Sequence, residues 1–247
     1  MRVFLFLDYD GTLVPIAGTP DRAVPPPELL RLLRRLVGRD GLRLAVVSGR
    51  DLEDLRALLP MPGLYLAAGH GALIQAPGAP PRVLTRVDRA RLDRLTRETR
   101  ALVAGESGFL VEPKAFSLAF HYRLADPARV EPVLAAFTAL REEHCPPPDW
   151  ELIPGRKVVE VRPAGVNKGT AVQHLLAAWP GAYPVYLGDD VTDEDAFRAL
   201  SGRGLTILVA DAPRPTAARQ RLTRAGALAL LHRLADEGPA ALTKCMV

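Results

Sequence analysis

The chain has 247 residues, 48% of them hydrophobic and 24% charged, and a formal net charge of +4. That length suits one large α/β domain or a core carrying an inserted unit, and the composition excludes disordered, collagen-like and disulfide-rich classes. The charge excess gathers after residue 197, where eight Arg and Lys face three Asp and Glu without interleaved aromatics, so a solvated surface is expected and a nucleic-acid partner is not.

In chain order, residues 2–8 form a short apolar run with β-branched and aromatic members, the pattern of a buried strand. It is too short for a secretory leader and runs into Asp8, and no segment approaches membrane-spanning length, so no membrane partner is expected. Asp10-Gly11 beyond it is a turn signal. Pro25–Pro27 open a helix whose leucines recur at helical spacing. Residues 42–48 read as a second strand ending in Ser48-Gly49-Arg50, with a helix following Asp51. Residues 64–68 read as a third strand, broken by Gly69-His70-Gly71, and residues 78–82 read as linker.

The pattern then changes. Helix 89–103, two strands within 109–123, helix 128–144 and two strands within 145–163 give helix–strand–strand twice. After Gly165 the first style resumes: a helix from Asn167, a strand over 184–190, a helix near 194–200, a strand over 205–210 and a terminal helix. The expected fold is α/β, a doubly wound parallel-sheet core (1–82 with 165–247) interrupted by an α+β domain (83–164). Cys145 and Cys245 lack metal-ligand spacing, which points to a reducing, cytoplasmic setting.

Ligands of doubly wound sheets bind at the carboxyl ends of strands. Asp8, Asp10, Ser48, the His70 corner, Asp189 and Asp190 all stand at such ends, with Lys168 opening a helix nearby. Asp8, Asp10, Asp189, Asp190 and Asp193 gathered at one edge would repel one another without a cation, and an all-oxygen set suits Mg²⁺. A lysine and a hydroxyl supply a point charge and a donor for phosphate, and an aspartate can serve as nucleophile. The chemistry points to Mg²⁺-dependent phosphoryl transfer. The lysines add a flag: there are four against 28 arginines, and a site wanting a compact charge would retain one.

The order DYDGT, VVSGR, Lys168 and GDDVTDED resembles the haloacid dehalogenase-like phosphatases across the whole chain. The resemblance implies Asp8 as nucleophile and Asp10 as general acid/base, with Thr12, Ser48 and Lys168 on the phosphoryl group. It also implies Mg²⁺ on Asp8, Asp189 and the Asp10 carbonyl, with Asp190 or Asp193 on its water ligands, and a cap domain at the insertion that closes over substrate. Within that superfamily, LDYDGTLVPI, VEPK, LAFHYR, GRKVVEVRP and NKG resemble the trehalose-6-phosphate phosphatase family. That likeness implies a sugar-phosphate substrate contacted by Arg50, His70, Glu112, Lys114, His121, Arg123, Glu160 and either or both of Arg156 and Lys157, with trehalose-6-phosphate synthase as a partner. Two departures stand out: Ala68 lies where an acid is expected, and Arg156 where the family more often has Lys. The alternatives are a phosphatase for sucrose phosphate or a glycosyl-phosphoglycerate, and a non-catalytic sugar-phosphate-binding module.

Overall fold

The computed structural model describes the backbone of residues 1–245 and the side chains of residues 1–242. Lys244 and Cys245 thus lie outside the described side chains, while Cys145 is buried with a free thiol. No helix among the described residues is long and apolar enough to cross a membrane.

Two compact units result, Met1–Leu84 with Asn167 onward, and Thr85–Val166. The first is built on β1 (Val3–Leu7), followed by α1 (Pro27–Val37), β2 (Leu42–Val47), α2 (Leu52–Leu58), β3 (Tyr65–Ala68), β4 (Leu73–Gln75) and β5 (Arg82–Val83). The second comprises α3 (Arg89–Leu102), β6 (Leu110–Pro113), β7 (Leu118–His121), α4 (Pro127–His144), β8 (Trp150–Gly155) and β9 (Val158–Pro163). The chain then returns to the first unit through α5 (Lys168–Ala177), β10 (Tyr183–Gly188), α6 (Glu194–Ala199), β11 (Leu205–Val209), β12 (Gln220–Leu222) and α7 (Arg224–Glu237).

The large sheet runs β12-β11-β10-β1-β2-β3-β4-β5. Pairing is parallel from β12 to β3, with β1 central between β10 and β2. Strand β1 is buried on both faces because successive side chains point to opposite sides. Val3, Leu5 and Leu7 join a core with Leu33 and Leu36 of α1 and Leu231 and Leu234 of α7. Phe4 and Phe6 join a second core with Val172 of α5 and Phe197 of α6. Segment 78–82, expected as linker, instead leads into the edge strand β5, which begins at Arg82, and β4 pairs antiparallel with both β3 and β5, so the sheet is mixed. With β12, these strands are two or three residues long, too short to display any hydrophobic alternation.

In the second unit the antiparallel sheet runs β6-β7-β9-β8. One face is apolar: Leu118, Phe120 and Val161 pack with Leu92 and Leu95 of α3 and Val133 and Phe137 of α4. Phe120 is fully buried, its ring centroid 4.8 Å from Phe137 and 5.6 Å from Phe109. Phe120→Ala should cost about 3–5 kcal/mol of unfolding free energy. Urea denaturation would show this as a lowered midpoint, and a loss below about 1 kcal/mol would contradict the packing described.

Candidate active site

Parallel pairing of β1 with β10 puts Leu7 beside Leu187, so Asp8 and Asp189 emerge at one edge. The Asp8 N–H continues the ladder, donating to the Leu187 carbonyl at 2.9 Å. Lys168 comes from the first turn of α5, where Asn167 is the N-cap. The Asn167 side-chain oxygen accepts from the Thr170 N–H at 2.9 Å, and the Thr170 hydroxyl oxygen accepts from the Asn167 N–H at 3.1 Å. This reciprocal cap fixes how the helix starts and therefore where Lys168 points.

Lys168 Nζ donates to Asp8 Oδ1 at 2.6 Å and to Asp193 Oδ1 at 2.7 Å, and all three side chains are buried. Asp193 also accepts from the Tyr186 hydroxyl at 2.7 Å and, through Oδ2, from the N–H groups of Asp189 and Asp190, each at 2.9 Å. Four donors thus occupy its carboxylate. Asp193, expected on the metal's water ligands, ties the loop after β10 to the lysine through these bonds and also stands among the clustered carboxylates. The Thr12 hydroxyl donates to Asp189 Oδ1 at 3.2 Å. Gly11, at φ +93°, passes so close that a Cβ there would stand 2.1 Å from Asp189 Oδ2, so only glycine fits.

Asp8, Asp189 and Asp193 each present a carboxylate oxygen, all within 4.8 Å of one another. Three carboxylates face one ammonium, and the imbalance is visible in their acidities. Burial pushes the Asp8 carboxyl well above the usual range; Lys168 opposes this, and Asp193 and Asp189 add to it. Burial and then Asp193 push Asp189 up to about 7, against Lys168. Burial alone would lower the Lys168 ammonium, but Asp193 and Asp8 reverse that and hold it above its ordinary value. A buried oxygen-donor set with surplus negative charge fits a divalent cation.

Asp10 and Arg50 form a second group. The guanidinium grips the Asp10 carboxylate with Nε at 2.7 Å and Nη2 at 2.8 Å, while Nη2 also donates to the Pro20 carbonyl at 2.8 Å. Arg50 lies over the Tyr9 ring, 5.0 Å from its centroid. Ser48 is buried, its hydroxyl oxygen accepting from the Arg50 N–H at 3.2 Å; it does not cap α2, whose N-cap is Asp51. His70 is buried with φ +55°, its N–H donating to the Ser48 carbonyl at 2.9 Å. Arg50, expected on substrate, grips the Asp10 carboxylate, and the His70 main chain is tied to the Ser48 loop.

The predicted sugar contacts Glu112, Lys114, His121, Arg123, Arg156, Lys157 and Glu160 belong to the second unit, with Glu112, His121 and Glu160 on the sheet face opposite its apolar core. Glu112, Ala119 and Glu160 stand in one row across β6, β7 and β9. His121 Nε2 lies 2.7 Å from Glu112 Oε2, Lys114 Nζ lies 3.4 Å from Glu160 Oε2, and the Ser117 hydroxyl donates to Glu160 Oε1 at 2.5 Å. Despite its burial, Glu112 is held below the usual carboxylate range by the His121 hydrogen bond and the Lys114 charge. Arg156 and Lys157 form the exposed two-residue turn between β8 and β9, with Lys157 at φ +64°. Arg123 donates to the Arg156 carbonyl at 2.5 Å.

A family profile described as Trehalose-phosphatase matches residues 6–225. The chain belongs to the trehalose-phosphatase family. It is 39% identical over 202 residues to a probable trehalose-phosphate phosphatase of Sinorhizobium fredii, covering 81% of this chain and 74% of that one. A trehalose-phosphate phosphatase of Mycobacterium tuberculosis is 36% identical, with 87% of this chain and 56% of that one covered. The chain therefore spans only part of these relatives' length. Among solved structures, the C-terminal domain of a trehalose-6-phosphate phosphatase from C. albicans superposes with TM-score 0.84 at 26% identity, covering 96% of this chain and 93% of that one. The haloacid dehalogenase-like α/β fold is thereby established, and phosphatases of this type use a divalent metal, with which the buried aspartates are compatible.

Several site residues escape sequence reasoning. Tyr186 carries a usable signal, because a tyrosine in an otherwise apolar buried strand needs a partner for its hydroxyl. Glu151 and Arg162, paired at 2.8 Å, share the polar face with Glu160, which the alternation in VVEVR indicates. Arg214 carries no local signal, and Glu194 is marked only by its place in the acidic run GDDVTDED.

The raised Asp189 pKa has a pH consequence. Without a cation the folded state holds this proton more tightly than the unfolded chain, so the group's contribution to stability is present at low pH and lost as pH rises through about 7. Cation binding requires the deprotonated form. Added Mg²⁺ is therefore expected to raise the melting temperature more at about pH 8 than at about pH 5, and equal shifts in a thermal melt would count against the site.

Proposed function

We propose that the protein hydrolyses trehalose 6-phosphate to trehalose and inorganic phosphate through an aspartyl-phosphate on Asp8, with Mg²⁺ as the cation. The observation that carries this reading is the buried Asp8–Lys168–Asp193 arrangement beside Asp189, in a member of the trehalose-phosphatase family. Asp8 and Asp189 are assigned as carboxylate ligands with the Asp10 carbonyl, and Asp190 as an outer partner. Asp193, fully engaged with four donors, is assigned to holding the loop. Mg²⁺ would supply charge neutralisation for the phosphoryl oxygens.

Lys168 fixes Asp8 through Oδ1, leaving Oδ2 to attack phosphorus. As the Asp8–phosphorus bond forms, the bond from phosphorus to the sugar oxygen breaks, and Asp10 gives that oxygen a proton. In the second half, water attacks phosphorus, Asp10 takes up a water proton, and the bond to Asp8 breaks to release phosphate. Lys168, Ser48 and Thr12 hold the equatorial oxygens, work that is mostly positioning and electrostatics. The bidentate grip of Arg50 assigns it to orienting Asp10. The polar face carrying Glu112, Lys114, His121 and Glu160, with Arg123 and the Arg156-Lys157 turn, is assigned to the sugar hydroxyls. A free buried Cys145 fits a reducing cytoplasm, and trehalose-6-phosphate synthase would supply the substrate.

Phosphate release from a panel of trehalose 6-phosphate, sucrose 6-phosphate and glucosyl-3-phosphoglycerate, with and without Mg²⁺, tests the assignment. Trehalose 6-phosphate should be preferred and activity should require the cation; preference for another ester would overturn the substrate. Asp8→Asn should lower kcat on the order of a thousandfold or more, and retention of substantial activity would remove Asp8 as nucleophile.

A further inference from the structure

The loop joining β11 to β12, residues 210–219, sends Arg214 back to the acidic cluster. Its Nη2 donates to the backbone carbonyl of Asp189 at 3.1 Å, and its Nη1 lies 3.3 Å from Glu194 Oε1. Glu194 is buried and accepts through Oε2 from the Ala217 N–H at 2.8 Å. One carboxylate from the helix after the aspartates therefore holds both the arginine and the backbone of the loop that carries it. Asp189 is clamped on both sides of its Cα: its N–H donates to Asp193 Oδ2 at 2.9 Å and its carbonyl accepts from Arg214. These two bonds fix the main chain, and the side chain is steadied separately by the Thr12 hydroxyl, which donates to Oδ1 at 3.2 Å.

The geometry points to Arg214 as a positioning residue for the divalent-cation site, acting on Asp189 through its main chain and anchored by Glu194. This rests on the reading of Asp189 as a metal ligand given above. The sign of the effect separates positioning from bulk charge. An arginine beside a cation site repels the cation, so by electrostatics alone its removal would tighten binding. If Arg214 holds Asp189 in place, its removal weakens binding, because the carboxylate must be ordered when the cation arrives.

Calorimetric titration of Mg²⁺ into metal-free protein measures this without turnover. Arg214→Ala should bind Mg²⁺ on the order of 10-fold more weakly than the unaltered protein. Arg214→Lys, whose ammonium can still reach one carbonyl, should fall between the two. Glu194→Gln should weaken binding less than Arg214→Ala, and the double variant should be no worse than Arg214→Ala alone. At saturating Mg²⁺ the KM for sugar phosphate should be unchanged, and metal-free melting of Arg214→Lys should stay close to that of the unaltered protein. Unchanged or tighter Mg²⁺ binding by both Arg214 variants, beside normal binding by the unaltered protein, would overturn this proposal alone. Failure of the unaltered protein to bind Mg²⁺ would overturn it together with the metal-site reading.

Discussion

A single buried ammonium organises the catalytic edge of this protein. Lys168 stands between Asp8 and Asp193, groups 160 and 25 residues away in the chain, at hydrogen-bond distance from each. Its placement requires the parallel neighbours β1 and β10, the start of α5 and the turn after β10 all at once. Buried charges of this kind are tolerated only when paired, and loss of one partner leaves the others uncompensated at a cost of about 3–5 kcal/mol. The arrangement is nevertheless not neutral. One lysine against three carboxylates leaves a deficit of positive charge at the spot where a cation and a phosphate would meet.

The polar groups around that deficit divide by how much of their hydrogen-bonding capacity the protein consumes. Asp193 gives all of it to Lys168, Tyr186 and two backbone N–H groups, and so behaves as part of the framework. Asp8 and Asp189 keep oxygens for incoming groups, each steadied by a single side-chain donor, Lys168 and Thr12 respectively. Such a division is what electrostatic preorganisation requires: rigid supports behind, and partly unsatisfied groups in front. Asp10 follows a related logic. Arg50 grips it bidentately and is in turn tied to the Pro20 carbonyl and laid over Tyr9, so the proposed acid/base group is oriented by residues from two loops.

The buried strands β1, β2, β10 and β11 are legible in the sequence because continuous apolar runs bounded by Gly, Asp or Ser have few other readings. The amphipathic helices are legible from leucine spacing. Strands β4, β5 and β12 are not, since two or three residues carry no period and their pairing is decided by neighbours already in the sheet. At the site, residue types at strand ends pick out Asp8 and Asp189, and the start of a helix picks out Lys168. Their division of labour is not recoverable, because whether Asp193 serves metal or framework depends on donors from Tyr186 and from its own loop. Arg50 shows a related limit: nothing local in the sequence tells that its guanidinium grips Asp10 bidentately. Arg214 reaches Asp189 across 25 residues, a contact with no local trace.

The reciprocal cap at the start of α5 has a consequence for how the molecule ages. Asn167 is the only asparagine in the chain, so spontaneous side-chain deamidation of asparagine has a single address. Where the side-chain amide there is hydrolysed directly to a carboxylate, without rearrangement of the backbone, the resulting aspartate would still accept the Thr170 N–H, since Asp and Asn cap helices about equally well. The helix would keep its start while gaining a negative charge one residue from Lys168. Fold and helix content would survive such a lesion, and the charge balance of the catalytic edge would be the property that drifts.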